Sequence, residues 1–253
     1  MNARVLNVAG FDDVQNPHVF RCMLGLTYSR GARALAVGGA MPLLHLLLVL
    51  GFVASLLMFA GDMLLYFTTG TYDMDGSLRP YMRIMRDMPA GRIKAGGALG
   101  PVAAALYVAG FAALPFTAQG AYAWLVWIAA ALLAFALVCG GAYHAQYVYL
   151  PIIARAGRED LYDEVSSNIM LIMRLATAPM YLGFVVLGIA IVLGQTVFPA
   201  WFVVFTPIVM SFFGLVWMHV PQPARCVLFG GWSNLVFTIM FAAMLFFLMA
   251  AGS

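Results

Sequence analysis

Hydrophobic and polar positions follow one another along this chain in long blocks. Six apolar blocks are separated by short polar connections, and most have the roughly 17 to 25 residues that a membrane-spanning helix needs. The blocks are residues 34–69, 97–116, 121–153, 169–194, 199–220 and 228–251. Because unpaired backbone groups are too costly in hydrocarbon, each block must be helical. The pattern therefore predicts an all-α, polytopic transmembrane helix bundle with six spans.

The first block, residues 34–69, leaves the number of spans open. It is too long for one upright helix and barely long enough for two. A hairpin turning near Gly51 would give seven spans and would place the four arginines of residues 1–33 on the same side as the other basic residues. Helix length favours six, which we expect. Residues 34–251 then form a single transmembrane helical domain, preceded by a membrane-surface leader at residues 1–33.

The composition agrees with a membrane protein. Hydrophobic residues make up 64% of the chain and charged residues only 9%, whereas soluble proteins carry about 25% charged residues. The net charge of +3 is small and the basic residues are dispersed, so we expect no nucleic-acid partner. The sequence has no phosphate-binding loop, zinc-protease motif or dinucleotide fingerprint, which leaves both the cofactor and the question of enzymatic activity unknown.

The basic residues indicate the orientation of the bundle. Lysines and arginines are gathered in the connections at residues 70–96, 155–174 and 221–225, whereas the connections at 117–120 and 195–198 are short and uncharged. Loops rich in basic residues remain on the cytoplasmic side. The expected location is therefore the cell inner membrane, with multiple spans and the basic connections in the cytoplasm.

Five polar residues lie inside the spans, near their cytoplasmic ends. They are Asp62, His144, Arg174, His219 and Asn234. An ionisable group within a span is expensive and usually faces the interior of the bundle with a partner. Because all five fall on one side at similar depth, the sequence predicts a polar pocket near the cytoplasmic leaflet.

Asp62 is the strongest functional candidate in this set. A carboxylate at this depth suits proton handling or cation coordination. The structural alternative is an ion pair with Arg174 or a hydrogen bond with Tyr66, which lies one turn along the same helix face.

His144 is the second candidate, and it lies on a helix face that also carries small residues. Gly140, Gly141, Tyr147 and Pro151 share this face by helical spacing. Small residues allow a neighbouring helix to approach closely. His144 is therefore either a general base, since its unperturbed pKa lies near neutral pH, or a histidine hydrogen-bonded across a close helix contact.

Together these residues predict a site that binds or moves a lipid or an amphipathic small molecule. Its expected lining is Asp62, Tyr66, His144, Tyr147 and Asn234. One alternative is an integral-membrane enzyme that uses Asp62 and His144 as an acid-base pair, with or without a bound metal; no residue is assigned as a metal ligand. Another is a structural subunit in which these residues only join helices. The expected partners are the bilayer and this ligand, and homo-oligomerisation stays open.

The segment at residues 79–88 combines basic and apolar side chains at helical spacing. Its arginines lie at i, i+4 and i+7: Arg79, Arg83 and Arg86. This pattern predicts an interfacial amphipathic helix whose arginines bind lipid headgroups. A sharper alternative is a copper(I) site formed by the thioethers of the interleaved Met82, Met85 and Met88.

Several short motifs resemble an uncharacterised family of bacterial six-helix integral membrane proteins, a domain of unknown function. The motifs are Gly61-Asp62-Met-Leu-Leu-Tyr66, Gly97-x-x-Gly100-Pro101, Tyr143-His144-Ala145, Pro221-x-Pro223 and Gly230-Gly231-x-x-Asn234. The resemblance extends over roughly residues 51–246. It implies a fold and a pocket rather than an activity. Asp62 is also similar to the aspartate of membrane hydrolases built from Asp, Ser and several His residues, but their His-x-x-x-His element is absent here.

Overall fold

The computed structural model describes residues 40–70 and 76–252. The predicted leader at residues 1–33 and the start of the first apolar block lie outside the described residues. The described α-helices are α1 (Ala40–Tyr66), α2 (Arg79–Arg86), α3 (Ala90–Phe111), α4 (Trp124–Gln146), α5 (Tyr149–Arg155), α6 (Tyr162–Val192), α7 (Pro207–Met210), α8 (Gly214–Trp217), α9 (Ala224–Leu228) and α10 (Trp232–Gly252). The 3-10 turns are Leu114–Thr117, Glu159–Leu161, Ala200–Phe205 and Ser211–Phe213.

Five of these helices, α1, α3, α4, α6 and α10, are long and apolar enough to cross a membrane. Such a set is expected of a multi-pass membrane protein. Within the described ranges the only β contact is an isolated bridge between Ala118 and Thr196. The predicted all-α helix bundle is confirmed.

Helix α1 is continuous through the middle of the first apolar block, so the alternative with a hairpin near Gly51 is wrong. Gly51 has a packing role instead. A Cβ atom on Gly51 would lie 2.4 Å from the Phe241 ring of α10, far inside van der Waals contact. The glycine therefore allows α10 to approach α1, and it does not mark a turn.

The fifth apolar block, residues 199–220, does not form the single helix that we expected. The chain runs through a 3-10 turn, becomes extended at Thr206 with ψ 147°, and restarts as α7 at Pro207. A residue that precedes proline is disfavoured in the helical region, because the proline ring clashes with its backbone. Helices α7 and α8 have four residues each and are too short to cross a bilayer.

The long helices pack side by side in the order α10, α1, α3, α4 and α6, with α3 in the middle. Helix α3 lies between α1 and α4, α6 packs along α4, and α10 packs along α1. Glycines set two of these contacts. A Cβ on Gly96 would lie 3.1 Å from the Gly61 carbonyl oxygen, and one on Gly141 would lie 3.0 Å from that of Gly100. Small residues thus bring the helix backbones together, as is common in membrane bundles.

One end of the bundle carries the basic connections. We call it the basic end, defined by α2, α5 and the first turn of α3, which hold arginines, in contrast to the uncharged connections at residues 112–123 and 193–199. At the basic end, α2 is amphipathic as predicted. Its apolar side chains Met82 and Met85 are buried in a cluster with residues of α1, α5 and α6. The apolar face of α2 therefore packs against protein.

Two arginines cap helix C-termini at the basic end. Arg92 donates at 2.9 Å to each of three carbonyls that end α1: Met63, Leu64 and Phe67. Arg155 donates to three carbonyls at the end of α2: Met85, Arg86 and Met88. The last carbonyls of a helix have no partner within it, and a guanidinium satisfies several at once while favouring the negative end of the helix dipole. Arg155 thereby fixes α2 on the bundle.

Arg155→Lys is expected to loosen α2, because an ammonium group lacks the planar fork that reaches several carbonyls. Loss of one charged hydrogen bond, about 1.5 to 3 kcal/mol, should raise amide hydrogen exchange in α2 by about tenfold or more. The matched control is Arg158→Lys, since Arg158 pairs with Asp160 two residues away and holds no helix end. Equal exchange in α2 for both variants would contradict this role of Arg155.

Candidate functional site

Three of the predicted site residues meet at the basic end of the bundle. Asp62 comes from α1, His144 from α4 and Asn234 from α10. The Asn234 amide donates to Oδ2 of Asp62 at 2.6 Å, and Nε2 of His144 lies 3.2 Å from Oδ1. All three residues are buried. Residues distant in sequence therefore form one polar contact inside the helix bundle.

Tyr107 of α3 completes this group, and the sequence analysis missed it. Its hydroxyl donates to Oδ1 of Asn234 at 3.1 Å, and the residue is fully buried. A signal was present, because Tyr107 follows Gly100 by seven residues and therefore lies on the same helix face. We call Asp62, Tyr107, His144 and Asn234 the polar network. Each of four helices contributes one member.

Glycines on two sides hold the ring of His144. A Cβ on Gly61 would lie 2.9 Å from Cε1 of the ring, and one on Gly100 would lie 2.9 Å from Nδ1. Gly141, on the helix of His144, packs against Gly100 as predicted from its spacing. Gly140 does not, since a Cβ there would meet nothing within 4 Å. The expected close contact therefore rests on Gly141 alone.

His144 has no hydrogen-bond partner for either ring nitrogen within the described part of the chain. Oδ1 of Asp62 is within ion-pair distance of Nε2, but the two groups do not have the geometry of a hydrogen bond. Buried polar atoms without partners are uncommon, and each needs an explanation. Catalytic and binding contacts are often misaligned before a ligand enters. The arrangement can pass a proton between Asp62 and His144 or accept a polar group at the ring.

Tyrosines separate the polar network from α2. Tyr81 of α2 packs edge-on against Tyr66 and Tyr147, with ring centroids 5.2 and 5.4 Å apart, and Tyr147 contacts Tyr143 through their hydroxyls. The Tyr66 hydroxyl donates to the Gly230 carbonyl at 2.8 Å, rather than to Asp62 as the structural alternative expected. Tyr66 and Tyr147, two predicted lining residues, thus belong to this tyrosine cluster, one turn beyond the network.

Two of the five polar residues expected at this depth do not join the network. Arg174 and His219 are both exposed on the surface of the chain. Among the described residues no ion pair joins Arg174 to Asp62, so that expected pair is wrong. The depth of these residues in their spans was not enough to predict which way they face.

The predicted headgroup residues line one cleft at the basic end. Its volume is about 210 Å³, and it is lined by Arg79, Met82, Arg83, Arg86, Ala154 and Glu159. Arg79 lies 3.9 Å above the Tyr162 ring and 3.5 Å from the Asp163 carboxylate. We call this the arginine cleft. Met82 belongs both to its lining and to the buried cluster, so the cleft borders the apolar face of α2.

Comparison with known proteins identifies the family. A family model described as a family of unknown function (DUF6796) matches residues 41–251. The chain belongs to this family. The match includes every member of the polar network and of the arginine cleft, and it confirms the resemblance to a domain of unknown function. No curated protein and no solved structure matches the chain.

In this DUF6796 chain the described polar groups that are linked to the network do not reach the uncharged end. From the network they extend two turns inward, where Thr238 lies 2.8 Å from the hydroxyl of Ser55. Beside and beyond them four phenylalanine rings pack together: Phe111, Phe184, Phe237 and Phe241. The polar region of the DUF6796 chain is thus closed by an aromatic layer on its inner side.

A second cavity of the DUF6796 chain lies near the uncharged end and is apolar. Its volume is about 420 Å³, and it is lined by Val108, Ala112, Pro115, Phe116, Trp127, Ala130, Ala131 and Ala134. Ala134, its nearest residue to His144 along α4, is ten residues away, about 15 Å at 1.5 Å per residue. The cavity is therefore separate from the polar network.

No metal site is formed by the usual ligands within the described ranges. No three His, Cys, Asp or Glu side chains come together there. Asp62 and His144 alone would offer two ligands, fewer than the three or four of a typical zinc site. Met82 and Met85, two members of the alternative copper(I) set, are buried in an apolar cluster, where thioethers serve as packing groups.

Proposed function

We propose that this protein is a multi-pass protein of the bacterial inner membrane that binds or moves a lipid or an amphipathic small molecule on the cytoplasmic side. The polar part of the ligand enters the region of Asp62, His144 and Asn234, with Tyr66 and Tyr147 at its entrance. The arginine cleft receives a charged headgroup. The basic end of the bundle faces the cytoplasm, as the distribution of lysine and arginine favours.

The observation that carries the proposal is the buried His144 ring without hydrogen-bond partners, beside Asp62 at 3.2 Å. In a bundle that only needs polar contacts between helices, a buried histidine would be expected to satisfy at least one nitrogen. An unsatisfied nitrogen is explained if a ligand hydroxyl, amine or phosphate forms the missing hydrogen bond. An ionisable group inside a membrane span is also by default a hypothesis for a functional site.

Binding is favoured over transport across the membrane. Among the described residues, the polar groups linked to the network end at Ser55 and Thr238, and the phenylalanine rings pack beside and beyond them. A transporter needs a polar route, or a second opening, that reaches the opposite side, whereas the cavity near that side is lined by apolar side chains. The ligand therefore enters and leaves by the basic end.

An integral-membrane enzyme is the second candidate function. A carboxylate and an imidazole 3.2 Å apart are within reach for acid-base exchange, and such contacts often become aligned only when substrate binds. Under this alternative Asp62 orients His144, and His144 takes a proton from the substrate. Both candidates place the ligand beside the His144 ring, so one binding experiment tests their shared requirement.

Native mass spectrometry of the gently extracted protein tests the proposal. Wild type is expected to retain a bound lipid or small molecule. Both Asp62→Asn and His144→Ala are expected to reduce its occupancy by about tenfold, which corresponds to a loss of about 1.4 kcal/mol in binding free energy. The matched control is Thr117→Val, which removes a buried hydroxyl at the uncharged end, where it donates to the Leu114 carbonyl.

The outcomes separate binding from a structural role. A species lost in both site variants but kept in Thr117→Val would establish a shared pocket, and its mass would give the ligand class. If no sample carries a bound species and all three variants are merely less stable, the polar network only joins helices and the proposed function is wrong.

A further inference from the structure

The lining of the arginine cleft carries charges of both signs. The guanidinium groups of Arg79, Arg83 and Arg86 belong to α2, whereas the carboxylate of Glu159 comes from the 3-10 turn that follows α5. A site built only for anions would have no reason to include a carboxylate. The mixed lining therefore points to a ligand that itself carries both charges.

Not all of these charges are neutralised by neighbours. Arg79 lies near Asp163, and Arg86 donates to Asp87 at 3.2 Å. Arg83 and Glu159 have no ion pair within 4.0 Å among the described residues, although Asp87 and, to a smaller extent, the nearby Glu159 raise the pKa of the Arg86 guanidinium. Two opposite charges thus line one cleft without meeting. A molecule placed between them would satisfy both.

We propose that the arginine cleft binds a zwitterionic group composed of a phosphate and a primary ammonium, as in an ethanolamine phospholipid headgroup. The phosphate binds Arg83, with Arg79 and Arg86 beside it, and the ammonium binds Glu159. This inference rests on the proposed function and deepens it, because it names the chemistry of the headgroup.

The chemistry of each partner predicts a selectivity. Guanidinium groups bind phosphate oxygens in pairs of parallel hydrogen bonds. A primary ammonium donates up to three hydrogen bonds to a carboxylate, whereas the trimethylated ammonium of choline has no N–H to donate. A glycerol headgroup brings no positive charge to Glu159. The cleft should therefore prefer phosphatidylethanolamine over phosphatidylcholine and phosphatidylglycerol.

The position of the cleft suits a lipid headgroup. Ala154, part of its lining, belongs to α5, and the same short helix exposes the apolar side chains of Tyr149 and Ile152. Exposed apolar groups at the end of a membrane bundle are typical of the interface with lipid. A headgroup at this level can reach the cleft while its acyl chains stay in the bilayer.

The test compares lipid retention in detergent micelles loaded with equal amounts of the three phospholipids with matched acyl chains. By native mass spectrometry, wild type should retain phosphatidylethanolamine about tenfold better than the other two. This factor corresponds to about 1.4 kcal/mol, close to the lower limit for one charged hydrogen bond. Glu159→Gln should remove this preference, and Arg83→Gln should weaken all three phospholipids together. Glu164→Gln is the matched control, because Glu164 is exposed on α6 and does not line the cleft.

The variants distinguish this inference from the proposed function. If Glu159→Gln alters headgroup preference while Asp62→Asn leaves retention unchanged, the cleft assignment holds and the buried pocket fails. If wild type has no headgroup preference, or Glu159→Gln keeps it, the cleft assignment is overturned, whatever Asp62→Asn does. Soluble glycerophosphoethanolamine, titrated by calorimetry, identifies the source: binding as strong as that of the lipid indicates a free phosphate ester, and weaker binding a membrane lipid.

Discussion

Asp62→Leu is expected to destabilise the protein by about 3 kcal/mol, the upper part of the usual range for leaving a buried polar partner unsatisfied. The leucine would leave the Asn234 amide without its acceptor at 2.6 Å and the His144 ring without the carboxylate that lies 3.2 Å from Nε2. Asp62→Asn should cost about 1 kcal/mol or less, because its amide oxygen can still accept from Asn234 and single hydrogen bonds in membranes average about 0.6 kcal/mol. Unfolding in mixed micelles, followed by tryptophan fluorescence, measures both.

The control for this pair is Glu164→Leu, which removes an exposed carboxylate from α6. It should change the unfolding free energy by less than about 0.5 kcal/mol, as surface substitutions usually do. The contrast between the two Asp62 variants matters most, because a folded Asp62→Asn protein without its ligand separates binding from stability. Equal stability of Asp62→Leu and wild type would mean that the polar network is not formed.

The depth of the polar residues was predictable from the sequence. Asp62, His144 and Asn234 each lie within about three helical turns of a basic connection, and basic connections share one side of the membrane. The three residues do meet in one network. Arg174 and His219 satisfy the same criterion but face outward. Position along a span fixes depth and leaves the rotation of the helix undetermined.

Rotation was not predictable because these helices are apolar on all sides. In a helix of a soluble protein the polar face lies towards water, so the opposite face can be identified as the buried one. In a membrane, lipid accepts the same apolar side chains as the interior of the bundle. Tyr107 illustrates the consequence, since an aromatic residue in an apolar span gives no indication of its hydrogen bond to Asn234. The small residues gave the better signal, because Gly100 marks the face of α3 on which Tyr107 lies.

Prolines show why the broken fifth block was missed. Pro101 lies inside α3 and Pro179 inside α6, and both helices continue through them. Pro207 instead follows a residue in extended conformation and begins a new helix. Neighbouring groups in a membrane bundle can satisfy the backbone that a proline frees, so a proline alone does not predict a break.

The arginines of the basic end were predicted as a group and not individually. Counting them correctly separated the basic connections from the uncharged ones. The count does not distinguish Arg92 and Arg155, which cap helices, from Arg83, which lines the cleft. Capping depends on which helix end lies within reach of the arginine side chain. Tertiary packing between residues that are distant in sequence decides this.

Gly110→Ala is expected to be among the most damaging small substitutions in the chain, at about 3 kcal/mol, the upper part of the usual range for overpacking. A Cβ on Gly110 would lie 2.5 Å from the Cα atom of Gly51, so α1 and α3 would have to separate. A backbone atom cannot relieve this contact by a change of rotamer, as a side chain can. The midpoint of thermal unfolding in detergent should fall accordingly.

Two further variants test which contact limits the approach of α3 to α1. Gly51→Ala collides mainly with the Phe241 side chain, so Phe241→Leu should restore part of its stability, whereas the same change should not rescue Gly110→Ala. Gly91→Ala, in the first turn of α3 with nothing within 4 Å, should be neutral or stabilise by up to about 1 kcal/mol through helix propensity. Rescue of Gly110→Ala by Phe241→Leu would show that the ring, and not the Gly51 backbone, limits the approach of α3 to α1.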